Sequence, residues 1–551
     1  MSSFMFLFLV LLASTVQAQR LSQVVQTDKG PVLGRVYETV WHSMPYSAYE
    51  GIPYASPPVG PLRFRKPTEA KSWTEIKRVM NNTNYCAQTF TLSSSGSEDC
   101  LYLNVYVPGE YVLNITTPKA VMVYIFGGGY TTGWSFPGVY GPDYLIEEDV
   151  ILIVFNYRVD IFGFLALDVD GVEGNAALWD QVFALQWVKR NIAAFGGDPN
   201  QITLFGESAG SASVSYQMLI PESEGLFNKV ILQSASSLCP WAFHTRPQAI
   251  QSTINVANAL GFYSLNQTAV LEFLEKQTPN DLLMTSRLQG SYLVPYPINF
   301  PFVPTVTKDL LNDCPINKFR TGQFAKVPVL MGFNSDEAEL FSLALDAGKQ
   351  MLSSGISYLG NLNPLSGGVW QDFANSLLNA TEKEIIEAAT AYYFVAPIDL
   401  AQRYFIQNNP NNPLYYYRLS NAAPELLHNL VDNHLGGVAH ADDLGIIFNI
   451  GIITENDPET EFNQFRKKVV SLWANFAKYT NPTPNNVPIN GAVWQPSGAA
   501  GLQIDLNVTF SMNSRLVDTK MLMWEKFYDM VLPYSSLCND PLSIASLGVI
   551  S

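Results

Sequence analysis

Hydrophobic positions fall in short runs along the chain. Ala120 to Phe126 and Val150 to Tyr157 are continuous apolar, β-rich stretches, the pattern of strands buried on both faces, as in a parallel sheet. Leu101 to Val107 alternates. Residues 24–40 read as an antiparallel pair turning at Asp28-Lys29-Gly30-Pro31. Asn175 to Asn191 has helical spacing through Ala177, Leu178, Gln181, Val182, Leu185 and Val188, and Gly196-Gly197-Asp198-Pro199 stops it. Gln201 to Phe205, Lys229 to Gln233, Val327 to Gly332 and Leu414 to Arg418 are further short strands. Residues 49–67, rich in Pro and Gly, read as an irregular packed loop. Residues 245–325 and 340–410 read as helical cover over the C-terminal ends of the strands. Strands alternating with helices predict a single large α/β domain with a mostly parallel sheet flanked by helices.

Composition narrows the class. Of 551 residues 47% are hydrophobic, enough for a substantial core, and the net charge of −16 argues against a nucleic-acid partner. Residues 4–13 are apolar but too few to span a bilayer, and Val16-Gln17-Ala18 has the look of a cleavage site. The expectation is a secretory signal over residues 1–18, a domain over 19–551, and an extracellular protein. No lipid-anchor pattern is expected at the C-terminus. Sequons at Asn81, Asn114, Asn266, Asn379 and Asn507 then predict N-glycosylation. Cys86 and Cys100 close a short polar loop and are the expected disulfide in an oxidising compartment. Cys239 with Cys314 is a candidate second pair, leaving Cys538 over.

Candidate chemistry centres on Gly206-Glu207-Ser208-Ala209-Gly210. An apolar strand precedes it and small, helix-compatible residues follow. A serine on so tight a turn needs neighbours without bulk, and its Oγ and the next N–H face one space. A serine hydroxyl needs a base and a group to orient that base. Among five histidines, His440 lies in a glycine-bearing loop after the later strands and is the candidate base. With Asp442 and Asp443 it makes poor metal-ligand spacing, so no metal and no cofactor are expected. The orienting carboxylate should follow the strand Val327 to Gly332. Asp336 and Glu337 both qualify, and local pattern does not choose between them. Gly127-Gly128-Gly129 after a buried strand, with the Ala209 N–H, could form an oxyanion hole. The order serine, acid, histidine is that of α/β-hydrolases.

Four longer stretches carry a resemblance: YEGIPYASPPVGPLRF from Tyr49, EDCLYLNV from Glu98, NYRVDIFGFL from Asn156 and FGGDPNQITLFGESAG from Phe195. With these the chain resembles the type-B carboxylesterase/cholinesterase family through nearly its whole length, in wording most similar to secreted arthropod carboxylesterases. The resemblance implies the α/β-hydrolase fold and a small-molecule ester as substrate. It implies Ser208 as nucleophile, Glu337 as acid and His440 as base. It also implies oxyanion donors at Gly128, Gly129 and Ala209, a Cys86–Cys100 bridge, and support of the acid by Ser234.

The sequence departs from the family at Phe126, where members often have His, and at Ala235 and Ala338, where glycine is usual. A second close-spaced disulfide has no counterpart near Cys239. Residues 87–99 contain no Trp, the residue with which cholinesterases bind choline, so a quaternary ammonium lacks that indole face there. Glu207 stands where juvenile hormone esterases usually have Gln. The alternatives within this fold are a non-catalytic adhesion protein and a lipase. Nothing in the sequence sets an oligomeric state.

Overall fold

The computed structural model describes residues 20–514 except 82–83, 91–92, 111, 115, 290–299, 340–351, 354–355, 358–366 and 431–435, together with 523–524 and 526–527. The expected signal segment, Cys538 and part of the 340–410 excursion lie outside the described residues.

A 13-stranded sheet organises the chain. Its strands are β1 (Leu21–Gln26), β2 (Pro31–Glu38), β3 (Pro45–Pro53), β4 (Tyr102–Pro108), β5 (Lys119–Ile125), β6 (Ile151–Phe155), β7 (Gly197–Glu207), β8 (Lys229–Gln233), β9 (Val329–Asn334), β10 (Leu414–Leu419), β11 (Leu502–Leu506) and β12 (Ser511–Ser514). The order across the sheet is β1-β2-β3-β4-β6-β5-β7-β8-β9-β10-β11-β12, and a two-residue strand at Lys77–Arg78 pairs with β2. All pairs from β6 to β11 are parallel. The strands from β1 to β6 and the last pair, β11 with β12, are antiparallel. The parallel centre is as expected, and it is flanked by antiparallel pairs on both sides.

Every residue of β6 and of β8 is buried. Successive side chains point to opposite faces, so both faces of the sheet are covered there. Helix α1 (Ala176–Asn191) starts after Asn175 and ends in a 3-10 turn closed by left-handed Gly196. Helix α2 (Ala209–Leu219) packs on β5, β7 and β8, and α3 (Glu461–Tyr479) on β5 and β7. Among the described residues no helix is long and apolar enough to cross a membrane.

Three expectations change. The irregular stretch 49–67 begins as strand β3, whose pairing with β4 shifts register between Glu50 and Ile52. Gly51, at φ 88°, absorbs that bulge, so a glycine read as a loop marker is a strand irregularity. Cys239 does not pair with Cys314: Cys239 is a buried free thiol, whereas Cys314 is in a disulfide. Strands β11 and β12 and helix α3 extend the fold beyond the elements read from the pattern. The Cys86–Cys100 bridge is formed, with Cα atoms 4.9 Å apart, and it closes a loop holding a small hairpin, Gln88–Phe90 with Ser93–Ser95.

Of the sequon asparagines, Asn81, Asn266 and Asn379 are exposed and Asn507 is half-buried, while Asn114 ends a 3-10 turn over Val112–Asn114. Asn266 also caps the helix Gln267–Leu274, its Oδ1 accepting from the N–H groups of Thr268 and Ala269.

Candidate active site

The sheet places the candidate groups side by side. β5 and β7 are adjacent and parallel, with Ile125 opposite Gly206. Their C-terminal ends therefore release Gly127-Gly128-Gly129 and Ser208 into one crevice, at the point where the strand order reverses. β8 lies beside β7, and β9, which leads to Glu337, lies beside β8.

Ser208 sits between β7 and α2 at φ 57° and ψ −128°, a strained conformation for a residue with a Cβ. Two glycines make the turn feasible. A Cβ at Gly210 would lie 1.9 Å from the Ile125 carbonyl oxygen, and one at Gly206 would lie 2.5 Å from the Gly210 carbonyl carbon. The Ser208 N–H donates to the Gln233 carbonyl at 2.9 Å, which ties the turn to the end of β8.

Ser208 Oγ lies 2.8 Å from His440 Nε2, and His440 Nδ1 lies 2.6 Å from Glu337 Oε2. Glu337 is fully buried, and its Oε1 accepts from the Asn334 N–H at 2.8 Å. With the carboxylate accepting from Nδ1–H, Nε2 is left to accept from the serine hydroxyl. Asp336, the other acid the sequence left open, turns away: its Oδ2 accepts from the Ser335 hydroxyl at 2.6 Å and lies against Gly437. Ser234, expected to support the acid, does not. Its buried hydroxyl has no hydrogen-bond partner among the described residues, and the Asn334 amide holds Glu337 instead.

Gly128 and Gly129 have φ of 105° and 62°, and a Cβ on Gly129 would lie 2.4 Å from the Phe300 ring. Their N–H groups have no acceptor among the described residues, and a Cβ on Gly127, which directly precedes them, would lie 2.9 Å from Ser208 Cβ. The segment is clamped from the disulfide loop. Gln88 accepts from the Gly133 N–H at 2.8 Å and donates to the Gly133 carbonyl at 3.0 Å. Both long excursions reach the site. Phe300 packs on Trp241, Trp241 packs on Phe394, and Phe394 lies 4.6 Å from the His440 ring between centroids. Phe394 belongs to a π-helical turn, Ala391–Val395. A cavity of about 760 Å³ lies against β9 and β10 and includes Phe333, Asp336, Tyr416 and Trp524 in its walls, but not Ser208 or His440.

The electrostatics are dominated by buried carboxylates. Glu207 Oε1 lies 3.3 Å from His440 Nε2. Burial pushes the Glu207 carboxyl up to about 8, with His440 opposing the rise and Asp443 and Glu337 adding to it. Burial alone would lower the His440 imidazole, but the negative fields of Glu207 and Glu337 outweigh it and raise it. Asp443, raised by burial to about 6, accepts from Gln233 Nε2 at 2.5 Å, and Gln233 Oε1 accepts from Trp473 Nε1 at 3.1 Å. Asp442 instead faces His428 at 2.6 Å. Gln233, Asn334 and Trp473 were not singled out from the sequence, and Asp443 was weighed there only as a poor metal ligand. The one local sign was a glutamine ending an otherwise apolar strand, since a buried amide needs partners.

The model of the "Carboxylesterase family" matches residues 21–524. The chain is 31% identical to a cholinesterase of Mus musculus, over 92% of this chain and 87% of that one. It is 31% identical to Esterase B1 of Culex pipiens, over 86% of this chain and 92% of that one. It is 32% identical to Acetylcholinesterase 1 of Caenorhabditis elegans, over 87% of this chain and 82% of that one. A match over nearly the whole domain, to proteins it spans for most of their length, means that the chain belongs to the carboxylesterase family.

Proposed function

We propose that the chain hydrolyses carboxylic esters of small molecules through an acyl-enzyme intermediate. Ser208 Oγ attacks the ester carbonyl carbon while its proton passes to His440 Nε2. Glu337, accepting from Nδ1–H, orients the imidazole and stabilises the imidazolium that forms. The N–H groups of Gly128, Gly129 and Ala209 receive the negative charge on the former carbonyl oxygen. The C–O bond to the leaving alcohol then breaks, and the alkoxide takes the proton from Nε2. Water repeats the sequence on the acyl-serine and releases the carboxylic acid and the free serine. The observation carrying this reading is the continuous row from Glu337 through His440 to Ser208, with separations of 2.6 and 2.8 Å.

The test is turnover of 4-nitrophenyl acetate by the purified protein, with labelling of Ser208 by an organophosphate. Activity and labelling that both vanish in Ser208→Ala support the reading. An inert parent protein whose Ser208 takes no label would overturn it.

The finer reading is a secreted glycoprotein cleaved after about Ala18 and glycosylated at sequon asparagines. N-terminal sequencing of protein collected from the medium, and its mobility after N-glycan removal, test that part. The absence of Trp between residues 87 and 99 supports esters of uncharged alcohols over choline esters. Comparing acetylcholine with a neutral acetate ester of similar size tests this preference.

A further inference from the structure

A second carboxylate–imidazole pair stands behind the loop that carries His440. Asp442 is fully buried. Its Oδ1 accepts from the His428 backbone N–H at 2.9 Å. Its Oδ2 accepts from His428 Nδ1 at 2.6 Å and from the Ala439 N–H at 2.7 Å. Burial opposes the charge on this carboxyl, and the bonds from His428 and Ala439 oppose that rise. Neither Asp442 nor His428 makes a hydrogen bond to Ser208, to Glu337 or to the His440 ring.

Their effect is on the peptide on either side of His440. Ala439 directly precedes it, and the Ala439 carbonyl accepts from Asn334 Nδ2 at 2.8 Å. The Asn334 N–H holds Glu337, and the His440 N–H donates to the Glu337 carbonyl at 3.2 Å. One path of hydrogen bonds thus runs from Asp442 through Ala439 and Asn334 to Glu337. Directly after His440, Ala441 has φ 72°. That left-handed conformation is disfavoured for a residue with a Cβ and persists where its surroundings over-determine it. Asp442 is the next residue, pinned by three donors from two segments.

We propose that Asp442 and His428 are positioning residues for His440. The pair fixes the peptide before the imidazole and holds the strained turn after it, so that the ring stands between Glu337 and Ser208. This rests on the reading of His440 as the base. A pair that merely stabilised the fold would lower the melting temperature and leave the turnover of folded protein unchanged.

The experiment measures kcat and KM on 4-nitrophenyl acetate, with the folded fraction taken from circular dichroism. Asp442→Asn keeps the volume but presents an amide N–H₂ to N–H donors. A displacement of the ring by about 1 Å costs roughly 10²-fold in kcat, with KM within about threefold. His428→Gln leaves the backbone donors in place and is expected to cost about tenfold in kcat. In the double variant Ala441→Gly, Asp442→Asn, glycine removes the penalty on the left-handed turn, and part of the lost kcat returns. Folded Asp442→Asn with kcat within about threefold of the parent overturns the proposal. Where Asp442→Asn does not fold, His428→Gln decides, and unchanged turnover overturns it. His440→Ala separates the two readings. If it stays active, the assignment of the base fails; if it is inert while Asp442→Asn and His428→Gln match the parent, the positioning role alone fails.

Discussion

Gly210→Ala sets two effects of opposite sign against each other. Gly210 lies in the first turn of α2, where alanine is the better helix former by about 1 kcal/mol. By propensity alone the variant should be more stable. Packing says otherwise. The new Cβ would lie 1.9 Å from the Ile125 carbonyl oxygen and 2.8 Å from the carbonyl carbons of Ile125 and Phe126. All three are backbone atoms, so no side chain can swing aside, and β5 and α2 must separate by about 1 Å before even a tight contact is reached. Overpacking of this kind costs about 1–3 kcal/mol, which outweighs the helix term. Ile125 and Phe126 lead directly into Gly127-Gly128-Gly129, so the strand that must move carries the proposed oxyanion donors. A shift of about 1 Å there corresponds to roughly 10²-fold in kcat. The assay is kcat and KM on 4-nitrophenyl acetate beside thermal unfolding followed by circular dichroism. The expected result is a lower melting temperature together with the loss of turnover. A folded variant that melts higher than the parent and keeps its kcat would refute the claim that this contact sets the geometry of the site.

Four further outcomes follow from the same contacts. Glu337→Gln keeps the volume but puts an amide opposite His440 Nδ1, favouring the tautomer with hydrogen on Nε2; kcat should fall about 10⁴-fold, and a loss under tenfold would count against Glu337 as the orienting acid. The acid limb of kcat/KM should lie above the value of about 6.5 usual for histidine, because neighbouring carboxylates raise His440 and only its neutral form accepts the serine proton. Glu207→Gln removes one of those charges, so the limb should move to lower pH, and a shift to higher pH contradicts the assigned cause. Replacing both Cys86 and Cys100 by alanine reopens a loop of 14 residues and should cost about 3 kcal/mol, read as a lower urea midpoint; it should also weaken turnover, because Gln88 in that loop clamps Gly133.

The central strands were legible because they are buried on both faces, which leaves a continuous apolar run with little competing pattern. β5, β6 and β8 fall within two residues of where the runs place them. β3 was not legible, since its bulge at Gly51 and its closing Pro53 look locally like loop chemistry. Only pairing with β2 and β4 makes a strand of it. At the site, the turn around Ser208 and the loop of His440 announce themselves through glycines and chain order. The choice between Asp336 and Glu337 does not, because adjacent side chains leave the backbone in different directions and only the fold says which one meets His440. The supporting contacts were beyond reach for a different reason. Gln233 meets Asp443 across 210 residues and Trp473 across 240, distances over which no periodicity carries information.

Those distant contacts bear on why this crevice suits the proposed chemistry. Glu207, Glu337 and Asp443 are three buried carboxyl groups near one imidazole. Their combined field favours the imidazolium that forms as Ser208 loses its proton, which lowers the barrier to attack. The same field would hold the resting imidazole protonated, and a protonated base accepts nothing. Burial eases the conflict by raising Glu207 to about 8, so that it is largely uncharged near neutrality, whereas Asp443, at about 6, keeps most of its charge and Glu337 meets His440 Nδ1 directly at 2.6 Å. A charge at Nδ1 stabilises the ion and still leaves Nε2 as the acceptor; a charge beside Nε2, where Glu207 sits, competes with the serine for the proton. In this arrangement, burial of Glu207 lessens the charge that competes with Ser208 for the proton.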